Sequence, residues 1–226
     1  MMPQRKKVHR AENSKEYKYK DFFMIEKIIL ASASPRRKDI LEMLKIPFEV
    51  VPSDADEDVE TELDAGEYVG LLSRRKGDDV AEKLKKRGVD ISKTLIISCD
   101  TVVCYDGMVI GKPLDDAHSI LTLGVLSESW HSVYSGLTLR LGAKTYTDFA
   151  RTDVKFREIS EKEIKQYVET GEPRGKAGSY AIQMLGSSFA ERIEGDFYNI
   201  VGFPVALFTR MLKVYFGTDI FDIAEL

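Results

Sequence analysis

The side chains of this 226-residue chain best suited to chemistry are a few charged groups set beside apolar runs. In the string SASPRR, Ser32 to Arg37, the spacing predicts a helix opening at Pro35 with Ser34 as its N-cap. The free amides of that first turn, with the planar forks of Arg36 and Arg37, would form a cradle for phosphate oxygens. An ordinary capped helix carrying two solvated arginines satisfies the same hexapeptide. Asp100 stands near the end of the apolar run LIISCDTVV. A carboxylate buried in a strand is costly unless it is paired, hydrogen-bonded or bound to a cation. At a strand's carboxyl end, beside a metal-bound phosphate, it could take a proton from water. A structural aspartate bonded to Thr101 and nearby amides is the plainer alternative.

Glu57 lies in the acidic run SDADEDVE, a composition that most often means a solvated loop. One or two carboxylates sharing a cation with substrate phosphates and water would form the shell expected for magnesium, which makes Glu57 a candidate ligand. Lys76 and Lys112 are unexceptional as surface lysines. Lys112 gains weight from following a predicted hairpin directly, which holds it near the sheet end carrying Asp100. Gly175, Gly178 and Gln183 could bring backbone close to a ligand and read a base edge through an amide, or could simply form a turn.

These residues need an α/β scaffold, and the chain supplies its signals. KIILAS reads as a buried strand leading into the Pro35 helix, and FEVVPSD as a second strand. A helix follows from about Glu67 to Lys86, ending at Gly88. TLIISCDTVVCY and YDGMVI read as a hairpin through an Asp-Gly turn, so the sheet is mixed. A helix opens at Asp115-Asp116, followed by the strand-like SVYSGLTLRL and TYTDFARTDVKF. Ser160 and Glu163 form the capping box of a helix that stops at Gly171 and Pro173. GKAGSYAIQ reads as a glycine-bearing loop running into a strand. The last helix, from Pro204, is expected to bury Leu207, Phe208, Met211, Leu212 and Tyr215. Residues 26–226 are read as a single domain.

Composition narrows the function. Hydrophobic residues at 43% and charged residues at 31% suit a globular chain with its own core. No apolar run approaches the roughly 18 residues of a membrane span. Residues 1–25 are read as a frayed basic extension; the net charge of −4 leaves the remainder acidic, which argues against a general nucleic-acid binder. Cys99 and Cys104 would point to opposite faces of one strand, so both are read as reduced, in a cytoplasmic compartment. His9, His118 and His131 have no partner at metal-binding spacing, which gives a histidine zinc site or a Ser-His-Asp triad little support.

Taken together, LASASPRR, SDADE, CDTVV, GKP, FREIS, GKAGSYAIQ and RIEGDFYNIVGFP, in that order across residues 27–215, closely resemble the Maf family of nucleoside triphosphate pyrophosphatases. The resemblance implies a mixed, elongated sheet flanked by helices, with two lobes around a cleft, similar to inosine triphosphate pyrophosphatases. It implies metal-dependent hydrolysis of a nucleoside triphosphate between its α and β phosphates, with magnesium or manganese as the cofactor, and it allows a homodimer. Asp100 then matches the family's proton acceptor and a metal-facing carboxylate. Ser34, Arg36, Arg37, Glu57, Lys76 and Lys112 match its phosphate and metal positions, with Ser32 beside them in the substrate set. Arg36, Thr101 and Gln183 fall where substrate classes differ. The class acting on 7-methyl-GTP carries Trp, Gln and Glu there, so this chain looks like the dTTP/UTP class. A nucleotide-sensing regulator of cell division, binding without turnover, is the alternative from a different functional class.

Overall fold

The computed structural model describes residues 25–59 and 62–225; the basic extension, save its last residue, lies outside them. Strand β1 (Lys27–Leu30) leads into helix α1 (Pro35–Met43), and β2 (Glu49–Val50) returns beside β1. Helix α2 (Ala65–Lys86) is opened by a capping box in which the Asp64 side chain accepts from the Glu67 amide and the Glu67 side chain accepts in return. Strand β3 (Thr94–Tyr105) and β4 (Met108–Ile110) form the expected hairpin, with Asp106 and Gly107 both at positive φ as a tight right-twisted turn requires. Helix α3 (Asp116–Leu126), strands β5 (Trp130–Leu141) and β6 (Lys144–Phe156), helix α4 (Glu161–Glu169), strand β7 (Ala190–Glu194) and helices α5 (Phe197–Val201), α6 (Val205–Met211) and α7 (Ile220–Ile223) complete the order.

The mixed α/β expectation is borne out. The sheet runs β2-β1-β3-β5-β6-β7, with β4 also on β3. The β1 pairings are parallel and the rest antiparallel. Alternation along β3 sorts the core by face. Leu95, Ile97 and Cys99 join the large cluster built with Ile40, Leu41, Leu123, Leu126, Phe156 and Phe208, while Ile96 meets Val80, Ala81 and Leu84 of α2. The two cysteines are free and pack on opposite faces, Cys99 in the large cluster and Cys104 against the small cluster of Ala65, Val69 and Val102. Among the described residues no helix is long and apolar enough to cross a membrane.

One break in this sheet sets the position of the cleft. On a single edge of β3, β1 pairs with Thr94–Ile97 and β4 pairs with Val103–Tyr105. Residues 98–102 between them have no strand on that edge, so Asp100 and Thr101 face an opening although they lie mid-strand. The other edge is fully paired with β5, where Asp100 stands opposite Gly136. Helix α2 presses unusually close there, because a Cβ on Gly136 would sit 2.1 Å from the Val69 carbonyl oxygen. Small groups keep the helix down: Ser98 Oγ donates to the Ser73 carbonyl at 2.7 Å and the Ser73 and Thr138 hydroxyls lie 2.8 Å apart.

Three local expectations are corrected. GKAGSYAIQ does not run into a strand; residues 177–179 and 185–189 form short 3-10 turns instead. FEVVPSD contributes only Glu49 and Val50 to the sheet. Tyr215 is only half-buried, packed against the large cluster: Leu212–Phe216 widens into a π turn, and the fully buried position there is Phe216. Tyr215 instead stacks on Tyr146, with ring centroids 4.0 Å apart and planes 7° from parallel.

Candidate functional site

The opening on β3 leads into a cleft of about 370 Å³ bounded by the first turn of α1, Glu57, Lys76, Lys112 and the segment from Gly175 to Gln183. Ten of the residues singled out in the sequence line it: Ser32, Ser34, Arg36, Arg37, Glu57, Lys76, Asp100, Thr101, Lys112 and Gln183. They come from six separate stretches of chain.

On the α1 side, Ser34 occupies the N-cap position, but its hydroxyl makes no cap bond; its amide donates to Ser32 Oγ at 3.2 Å. The first-turn amides therefore keep their donor capacity toward the cleft. The guanidinium groups are aimed by the end of α5. Arg36 Nε donates to the Val201 carbonyl at 3.1 Å and Arg37 Nε to the Gly202 carbonyl at 2.9 Å. Arg37 also donates to Ser32 Oγ at 3.0 Å and to Thr101 Oγ1 at 3.2 Å, which ties the arginine pair to the neighbour of Asp100. Burial, and then the charge of Arg37, pull the Arg36 guanidinium below its ordinary value. Two adjacent cations desolvated in one wall are a standing invitation to an anion.

Period-two alternation sends Asp100 to the α2 face, where Lys76 meets it. The Lys76 ammonium donates to Asp100 Oδ1 at 2.5 Å and lies 2.8 Å from Glu57 Oε1. Burial pulls the Lys76 ammonium down, but the Asp100 and Glu57 carboxylates outweigh it and hold the group above the ordinary lysine value. The hydrogen bond from Lys76 in turn keeps the Glu57 carboxyl below its usual range, against the opposing effect of burial. Lys112 is exposed at the rim, near enough for its charge to act on Glu57.

Asp100 is buried, at 8% exposure, and mid-strand, so the expectation of a strand's carboxyl end is corrected: that end belongs to β1, and Asp100 reaches it through the break in the ladder. Gly178 is also corrected. It serves packing rather than ligand approach, since a Cβ there would lie 2.6 Å from a Val103 methyl. Gly175 does line the cleft.

Lys176 was not picked out from the sequence, although it sits inside the GKAGSYAIQ string. It lines the cleft, donates to the Glu172 carbonyl at 2.5 Å, and is pulled below the ordinary lysine value by burial and then by Arg36. The Val201 and Gly202 carbonyls that aim the arginines were equally invisible, because a backbone acceptor leaves no mark on residue type.

Among the described residues no cluster of three or more His, Cys, Asp or Glu side chains could hold a metal by itself. The donor set nevertheless fits a divalent cation shared with substrate. Asp100 and Glu57 converge on one point, marked by the ammonium between them, and a hard cation there would complete its shell with phosphate oxygens and water.

Residues 27–215 match the family model described as Maf-like protein. A dTTP/UTP pyrophosphatase of Bacillus cytotoxicus is 41% identical over 191 residues, covering 84% of this chain and 96% of that protein. A dTTP/UTP pyrophosphatase of Bacillus mycoides is 40% identical over 196 residues, covering 87% and 98%. A solved structure of the Staphylococcus aureus Ham1 protein overlays 58% of this chain and 72% of its own with a TM-score of 0.41 at 12% identity.

Proposed function

The chain belongs to the Maf-like protein family and is a nucleoside triphosphate pyrophosphatase, and on that premise we propose that it hydrolyses dTTP and UTP to the monophosphate and pyrophosphate by attack of water on the α-phosphorus. The observation that carries the reading is the meeting of three distant segments at one point: Arg37 from α1 bonded to Thr101, and Lys76 from α2 bonded to the adjoining Asp100.

Triphosphate hydrolysis is limited by charge repulsion and by stabilisation of the leaving group, so positioning and neutralisation supply most of the catalysis. Arg36, Arg37 and Lys112 hold the β and γ phosphates and take up the charge that develops on departing pyrophosphate. Ser32, Ser34 and the first-turn amides of α1 donate to the same oxygens. Asp100 accepts the proton of the attacking water, and Lys76, already bonded to it, orients the carboxylate. Glu57 and Asp100 would hold magnesium or manganese, which when bound supplies Lewis-acid polarisation of a phosphoryl oxygen. Thr101 and Gln183 face the sugar and base; the pyrimidine preference rests on the relatives' names and on Arg36, Thr101 and Gln183 differing from the 7-methyl-GTP pattern.

The test is hydrolysis in oxygen-18 water with magnesium present, followed by product chromatography. Label in the monophosphate together with released pyrophosphate is the expected result. Stepwise orthophosphate, or label in pyrophosphate, overturns the proposed point of attack.

A further inference from the structure

Glu172 is buried, at 8% exposure, lies outside the cleft wall and takes no part in the mechanism above. Three donors nonetheless converge on its carboxylate. Oε1 accepts from Tyr167 Oη at 2.8 Å and from the Gly186 amide at 3.0 Å, and Oε2 accepts from the Leu185 amide at 3.2 Å. Tyr167 Oη itself accepts from the Ala181 amide at 3.1 Å. Both ends of the stretch from Ala181 to Gly186 are thus fastened to one pair of side chains, and the Met184 amide closes the turn on the Ala181 carbonyl at 3.1 Å. Gln183 is inside that turn, on the cleft. The fit is close: a Cβ on Gly186 would lie 2.8 Å from both Tyr167 Oη and the Ala181 carbonyl oxygen. The backbone carbonyl of Glu172 meanwhile holds Lys176 on the same wall.

We propose that Glu172 is the positioning residue for nucleobase recognition: its carboxylate, through Tyr167, fixes the turn that presents Gln183 to the base. The proposal rests on the reading that Gln183 faces the base. A carboxylate suits the task because it only accepts, whereas a glutamine would turn an N–H toward one of the three donors. A Gly186–Leu185–Ala181 turn released from this anchor leaves Gln183 free to sample other directions, and binding then bears the entropy of ordering it.

The experiment is a double-mutant cycle of Glu172→Gln and Gln183→Ala, reading equilibrium binding of magnesium α,β-methylene-UTP and, separately, of inorganic tripolyphosphate. Glu172→Gln is expected to weaken the UTP analogue about tenfold, leave tripolyphosphate within about twofold, and cost nothing further once Gln183 is alanine. Equal weakening of both probes, additive losses in the double variant, or unchanged analogue binding each overturns the proposal. Should Glu172→Gln fail to fold, Tyr167→Phe removes only the hydroxyl that links Ala181 to Glu172 and is held to the same cycle. Pyrophosphate release from UTP by the unaltered protein is scored alongside. Release with additive losses rejects the anchor alone, and coupled binding without release rejects the activity alone.

Discussion

The two walls of the cleft are built differently. The wall meant for phosphates takes most of its charged groups from regular elements, the first turn of α1, the middle of α2 and the middle of β3, with Glu57 and Lys112 added from connecting segments. The wall meant for the base is irregular, two 3-10 turns with no sheet pairing, and depends on buried side chains, Glu172, Tyr167 and the His131–Tyr180 pair, for its shape. Rigid backbone suits a task common to every triphosphate. A loop held by side chains can change what it recognises without disturbing the sheet.

Perturbations should therefore separate by wall. The largest effect is expected from Asp100→Asn, which keeps the shape and removes the base: turnover should fall by about 10²–10⁴-fold with KM little changed, measured by steady-state pyrophosphate release. Near-normal turnover in that variant would remove Asp100 from the chemistry.

Acid should act next, and on the base wall. His131 is buried, its Nε2 lies 2.9 Å from Tyr180 Oη, and burial pushes it down to about 4, against a smaller upward pull from Asp153. Its folded value lies below the unfolded one, so the unfolded chain binds the extra proton first. Stability is then complete above about pH 6.5 and is lost as pH falls toward 4, by about 3 kcal/mol in all from this residue. Thermal melts across that window should show the loss, and His131→Gln should flatten it.

Arg37→Lys keeps the charge and loses the fork that spans the Gly202 carbonyl, Ser32 and Thr101. A fall of about 10- to 100-fold is expected in kcat/KM for UTP and in equilibrium binding of inorganic tripolyphosphate alike. A loss confined to UTP would assign Arg37 to the base wall and undo the comparison. Gln183→Ala should be the mildest, raising KM for UTP about tenfold while kcat stays within about twofold, because it removes binding shared by ground and transition states.

Much of this was legible in residue order. The strand-helix alternation, the Asp-Gly hairpin and the Ser160–Glu163 capping box depend on contacts within a few residues, so type and spacing suffice to find them. Asp100 stood out because a charge inside an apolar run is costly without a purpose, and Arg36 and Arg37 because they open a helix; Lys76 by itself was unexceptional. What escaped were features that depend on distant partners. The GKAGSYAIQ segment has strand-like residues and forms turns, since Tyr167 captures its Ala181 amide and Glu172 captures the Leu185 and Gly186 amides just beyond it. Tyr215 is half-buried and Phe216 takes the fully buried place because one widened helical turn shifts every later side chain.

The sequence by itself determined which groups could carry the chemistry, since residue type sets charge and hydrogen-bonding capacity, and local spacing sets most helices and strands. Only the tertiary structure decided that those groups meet. Their convergence comes from the gap in the β3 edge between β1 and β4, from Gly136 letting α2 settle until Lys76 touches Asp100, and from the α5 carbonyls that aim the arginines. Each of these is an interaction between backbone segments far apart in the chain, and the identities of the residues involved do not encode it locally.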